Sequence, residues 1–100
     1  MPGAVPVAQA QRWVVSPLAR LTWRSWDGDY VAFESRSGQL AEFRVLAAAA
    51  MACLEEAPRT ADELAAMLAT DLGQRADAEF VEAVGHTVEQ FRRLGWVVAA

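Results

Sequence analysis

Few residues in this 100-residue chain are of types that could do chemistry. Cys53 and His86, the single cysteine and single histidine, could make a nucleophile and its base. Cys53, however, lies on the apolar side of an alanine-rich helical pattern, where a small buried hydrophobe is expected. His86 falls among Glu82, Glu89 and Gln90 on a polar face, as a solvated side chain does. Asp27 and Asp29 resemble a carboxylate pair, but the Asp-Gly step between them is turn chemistry. There is no Gly-rich phosphate loop, G-x-S-x-G, H-E-x-x-H or C-x-x-C. A four-ligand zinc site lacks its histidines and cysteines. The expectation is a non-enzyme with no catalytic residue, no metal and no cofactor.

Composition narrows the class further. At 54% hydrophobic residues with nine aromatics, the chain can build one core without disulfide staples. Thirteen acidic residues face nine basic ones, all arginine, giving a net charge of −4. Such a chain lacks the general basic field that gathers phosphates, so no nucleic-acid partner is expected. Neither a membrane-spanning run nor the charged start of a secretory signal is present, so no membrane partner and a cytoplasmic location are expected. The 21 alanines, with no lysine, asparagine or isoleucine, point to a GC-rich bacterial genome.

The elements that must position any site follow from periodicity. Residues 1–12 read as a flexible N-terminal tail and 13–100 as a single domain. Trp13-Val14-Val15 reads as a short extended piece ended by Ser16-Pro17. From Leu21 to Trp26 and from Tyr30 to Ser35 the period is two, with Asp27-Gly28-Asp29 between, a hairpin signal. A three-residue loop would gather Leu21, Trp23, Val31 and Phe33 on one face, and facing residues must share burial, so that register is predicted over a two-residue loop. Ser37-Gly38 then turns the chain into a third strand, Gln39 to Phe43. Three helices follow: Val45 to Ala57, stopped by Pro58; one capped by the Thr60–Glu63 box and ended at Gly73; and one capped by Asp77 and ended at Gly95. The predicted fold class is α+β and winged-helix-like, a three-stranded antiparallel sheet followed by a three-helix bundle.

A DNA-reading winged helix usually places its hairpin after the recognition helix, and here the strands come first. The third helix exposes Glu79, Glu82, His86 and Glu89, with Arg92 and Arg93 only at its end, and phosphates would repel most of that surface. Peptide binding fits better, because the third strand is expected at a sheet edge, and an open edge can accept an extended peptide as a further strand. The alternative is an edge covered by the chain's own tail, for instance by Trp13-Val14-Val15.

Trp23-Arg24-Ser25-Trp26-Asp27-Gly28-Asp29-Tyr30-Val31, Ser37-Gly38, Leu46-Ala47-Ala48, Glu56 to Ala65 and Phe91 to Val97 carry a resemblance. In this order and spacing, over roughly residues 13 to 98, they resemble the PqqD-type peptide chaperones, the RiPP recognition elements. They are most like the HPr-rel-A system branch found beside kinases related to the HPr kinase. The resemblance implies a leader peptide of a precursor added beside the third strand, against the third helix, and presented to a peptide-modifying enzyme or an HPr-kinase-related protein. The implied peptide-binding residues are Gln39, Leu40, Ala41, Glu42 and Phe43 on the strand, with Val81, Val84, His86, Val88 and Arg92 as candidate groove walls. Phe43-Arg44 stands where related proteins have a Leu-Asp pair, replacing an acidic N-cap with a cation. The other reading of the same fold is a structural or regulatory interaction module, as a homodimer, with Trp13, Trp26 and Tyr30 in an interface.

Overall fold

The computed structural model describes residues 11–100. In chain order the elements are β1 (Arg12–Val15), β2 (Leu21–Trp26), β3 (Asp29–Glu34), β4 (Gln39–Phe43), α1 (Val45–Glu56), β5 (Arg59–Thr60), α2 (Ala61–Leu72), α3 (Ala78–Leu94) and β6 (Val97–Ala99). The fold is α+β. Among the described residues it comprises two three-stranded antiparallel sheets, ordered β2-β3-β4 and β5-β1-β6, and three helices.

The hairpin closes through a two-residue loop, not the three-residue loop that shared burial predicted. Asp27 and Gly28 both take positive φ, 52° and 79°. This is the primed geometry whose twist matches the strands, and aspartate and glycine tolerate it best. Trp26 therefore pairs with Asp29, Trp23 with Ala32 and Leu21 with Glu34. Leu21, Trp23, Tyr30 and Ala32 face inward with Ala41 and Phe43 of β4, while Val31 and Phe33 turn outward with Leu40 and Glu42. Glu34 then falls on the inner face at 4% exposure.

The second sheet ties the two ends of the described chain together. β1 is its central strand, with Trp13 opposite both Arg59 and Ala99, and Val15 opposite Val97. Trp13 to Val15 is thus occupied by β5 and β6 and does not cover β4. Arg12, expected in the tail, already belongs to β1, and its guanidinium lies 2.6 Å from Glu63 of the α2 capping box. Gln11, also expected in the tail, directly precedes β1, and the rest of the expected tail, residues 1–10, lies outside the described residues.

Local signals set the helix ends. Thr60 Oγ1 accepts from the Glu63 amide at 3.1 Å and the Glu63 carboxylate accepts from the Thr60 amide at 2.8 Å, closing the capping box. Asp77 caps α3 by accepting from the Phe80 amide at 2.9 Å, and Gly73 and Gly95 end α2 and α3 in the left-handed conformation. Buried faces of the three helices meet in one core, with Ala50, Met51 and Leu54 from α1, Leu64 and Leu68 from α2, and Val84, Val88 and Phe91 from α3. Among the described residues no helix is long and apolar enough to cross a membrane.

The start of α1 is the exception. Arg44 occupies the N-cap without a side-chain cap hydrogen bond, and the first turn carries no acidic residue. Arg44→Asp supplies both an acceptor and a charge that suits the helix dipole. It is expected to stabilise the chain by about 1 kcal/mol, raising Tm by roughly 4–8 °C in a thermal melt. An unchanged or lowered Tm would show that the bare cap is satisfied in another way.

Candidate functional site

β4 lies at one edge of its sheet, paired with β3 on one side and with no strand on the other among the described residues. The loop geometry decides which of its backbone groups look outward. A two-residue loop makes Trp26 and Asp29 a hydrogen-bonded pair, and such pairs alternate along an antiparallel ladder. The bond from the Ser35 amide to the Arg20 carbonyl, at 3.0 Å, is a later rung of the same series. Residues 29, 31 and 33 therefore bond β2, while Tyr30, Ala32 and Glu34 bond β4 through Phe43, Ala41 and Gln39. That leaves the N–H and C=O of Leu40 and Glu42 directed to the open edge.

Aromatic packing fixes this strand against the end of α3. The Phe43 ring lies 5.7 Å from Trp23, 5.2 Å from Phe91 and 5.8 Å from Trp96 between centroids, in tilted and edge-on arrangements that aromatic pairs favour. At the other end of β4, Trp96 Nε1 donates to Gln39 Oε1 at 3.3 Å. Beside Gln39 opens a concavity of about 340 Å³ whose lining includes Leu18, Glu34, Leu94 and Trp96. Leu94, in the last turn of α3, reaches this side.

Glu34 holds the turn from which β4 starts. One carboxylate oxygen accepts from the Arg20 amide at 2.6 Å, and the other from the Ser37 amide at 2.8 Å and the Ser37 hydroxyl at 2.9 Å. The bond from the Arg20 amide is the largest cause that holds its carboxyl down to about 2, with Ser37 adding to it against the opposing effect of burial. A carboxylate with a lowered folded pKa contributes stability above the ordinary value near 4.5, and the contribution is lost as pH falls through about 2. Glu89, bonded by Arg92 and Arg93, is held down to about 2 as well. Thermal stability is therefore expected to be flat above about pH 5 and to fall between about pH 4.5 and 2. Glu34→Gln should lower Tm at pH 7 and reduce the acid slope; a variant with the wild-type slope would contradict this account of Glu34.

The predicted strand residues, Gln39 to Phe43, form one continuous edge. Those predicted on α3 are dispersed. Val84 and Val88 are core residues at 0% and 3% exposure. Val81 and His86 line a separate groove of about 610 Å³ with Ala61 and Asp62 at the start of α2. His86 is exposed, 3.4 Å from Glu82, and Arg92 is engaged by Glu89 at 2.6 and 2.8 Å. None of the five is among the residues seen to close on β4, which are Phe91 through Phe43 and Leu94 beside Gln39. Glu34, Leu94 and Trp96, which line the concavity beside Gln39, were not among the predicted residues. The signal for Glu34 was the two-residue register, which sets it opposite Leu21.

Cys53 is buried in α1, where burial, aided by Glu56 and Asp71, pushes its thiol up from its ordinary value. His86 stands on the exposed side of α3, so the structure places the two on different faces of the molecule's helices. Among the described residues no group of three or more His, Cys, Asp or Glu is placed to hold a metal ion.

The chain matches no family model, no curated protein and no solved structure.

Proposed function

We propose that the chain is a non-catalytic peptide-binding adaptor that takes the leader of a precursor peptide as an added strand on β4 and presents it to a peptide-modifying enzyme. The observation that carries this reading is the β4 edge, unpaired on one side among the described residues, with the backbone groups of Leu40 and Glu42 directed outward. Main-chain bonds give such an interface its affinity, and pockets for alternate side chains give it selectivity. The resemblance of residues 13 to 98 to PqqD-type chaperones supports the same reading, as does the kinase-linked branch for an HPr-kinase-related partner. The proposed setting is the bacterial cytoplasm, where precursor peptides are made.

Calorimetric titration with synthetic leader segments of short precursors encoded beside the gene tests the proposal. Binding in the micromolar range or tighter, little changed by salt because backbone bonds dominate, is the expected result. No heat with any neighbouring peptide at about 1 mM would overturn it.

A further inference from the structure

The register of the hairpin gives the outer face of the β2-β3-β4 sheet a pattern with a sense of direction. One row across the strands reads Arg24, Val31, Glu42, and the next reads Thr22, Phe33, Leu40. Phe33 and Leu40 are exposed by 41% and 67%, so an apolar centre lies open between a cation on one edge strand and an anion on the other. Arg24 and Glu42 sit about 10 Å apart, two strand spacings, with Val31 between them. Among the described residues neither has an ion-pair partner.

We propose that this face docks on the same face of a second copy of the chain, about a two-fold axis that runs between the two sheets within about 15° of β3. The axis follows from the charge pattern. A two-fold along the strands lays β2 of one copy over β4 of the other, which puts Arg24 over the partner's Glu42 twice while Val31 and Phe33 meet their own images; Asp29, at the turn end of β3, also meets its image, one like-charge pair against the two opposite-charge pairs. A two-fold across the strands would instead set Arg24 over Arg24 and Glu42 over Glu42. Stacked sheets lie about 10 Å apart and turn by about 30°, which displaces each charged pair by only about 2.5 Å, within the reach of an arginine. Three short strands offer less than the ~800 Å² per partner of a standard interface, so the Kd is expected on the order of 100 μM. The docking covers the outer face of β4 and leaves the in-plane backbone groups of Leu40 and Glu42 directed outward, so it does not depend on the peptide proposal.

Sedimentation equilibrium of the full chain from about 20 μM to about 1 mM, with no peptide added, tests the inference. The wild type is expected to show a monomer–dimer equilibrium. Arg24→Glu and Glu42→Arg should each weaken it by about tenfold or more, because symmetry places two like-charge pairs in the interface. The double swap, R24E/E42R, should restore association to within about threefold of wild type. Thermal melts of all four proteins check folding, which these exposed positions are expected to leave intact. A wild type that is monomeric at about 1 mM would overturn the proposal. So would single swaps without effect, or a double swap as weak as the singles. If the wild type is monomeric and a variant lacking residues 1–10 associates, the chain's own N-terminal segment is the occupant instead.

Discussion

Glu42→Pro is expected to leave the fold standing and to abolish peptide binding at β4, whereas Ala41→Pro, one residue earlier, is expected to unfold the chain. The contrast follows from the alternation along the ladder. Ala41 is the hydrogen-bonded partner of Ala32, which is fully buried, so proline there removes a rung beside the core and sets its ring against β3. Proline at a paired position forfeits a ladder bond and leaves the Ala32 carbonyl beside the core without its donor, against a total stability of only ~5–15 kcal/mol for a domain of this size. Glu42 directs its N–H to the open edge, where proline is tolerated because no rung is lost. What it removes is the donor that an added strand would use, and its ring obstructs the approach. Affinity should fall by at least about tenfold, more than the loss of one neutral hydrogen bond alone. Circular dichroism distinguishes the two folding outcomes, and the calorimetric titration reads the binding. A Glu42→Pro protein that binds as well as wild type would contradict addition at this edge.

Phe91→Ala carries the largest expected effect on stability. The side chain is fully buried on α3 and meets both Phe43 and Trp96, at 5.2 and 6.3 Å between centroids. Truncating a buried phenylalanine costs about 3–5 kcal/mol, which on a domain of this length lowers Tm by roughly 12–40 °C. Urea unfolding would read this directly, and a loss below about 1 kcal/mol would show that the aromatic cluster does not bind the sheet to the helices as described. Phe43→Leu separates positioning from stability. A near-volume-conserving change should cost only about 1.5 kcal/mol or less, yet it removes the ring contacts that fix the C-terminal end of β4 against α3. The folded variant is expected to bind peptide several-fold more weakly; unchanged affinity would mean that β4 is held by its pairing with β3 alone.

Local determinants were legible in the sequence. The Thr60–Glu63 box, Asp77, Gly73 and Gly95 each act within a few residues, and each stands where its type and spacing put it. The strand Gln39–Phe43 was legible for the same reason, bounded by Ser37-Gly38 and the helical pattern after it. The hairpin register was not, because counting Val31 and Phe33 as buried gave weight to their hydrophobicity over the turn. The Asp27-Gly28 geometry governs instead, and the inner face accommodates Glu34 because backbone amides satisfy its carboxylate. The β5-β1-β6 sheet left little trace, since its strands of two to four residues come from sequence positions tens of residues apart. On α3 the most apolar positions, Val84 and Val88, are core for the same reason that they looked like groove walls. What reaches β4 is the last part of α3, where Phe91 meets Phe43 and Leu94 lies beside Gln39.

Backbone amide mapping tests the central claim most directly. The full chain, labelled with nitrogen-15, is titrated with the neighbouring leader peptide that gives the strongest heat. The account predicts the largest shifts at the Leu40 and Glu42 amides, with accompanying shifts at Phe91 and Leu94 and slowed hydrogen exchange at Leu40 and Glu42. Shifts confined to the α2–α3 groove around Ala61, Val81 and His86, or to the outer face around Phe33, with Leu40 and Glu42 amides still exchanging freely, would contradict it.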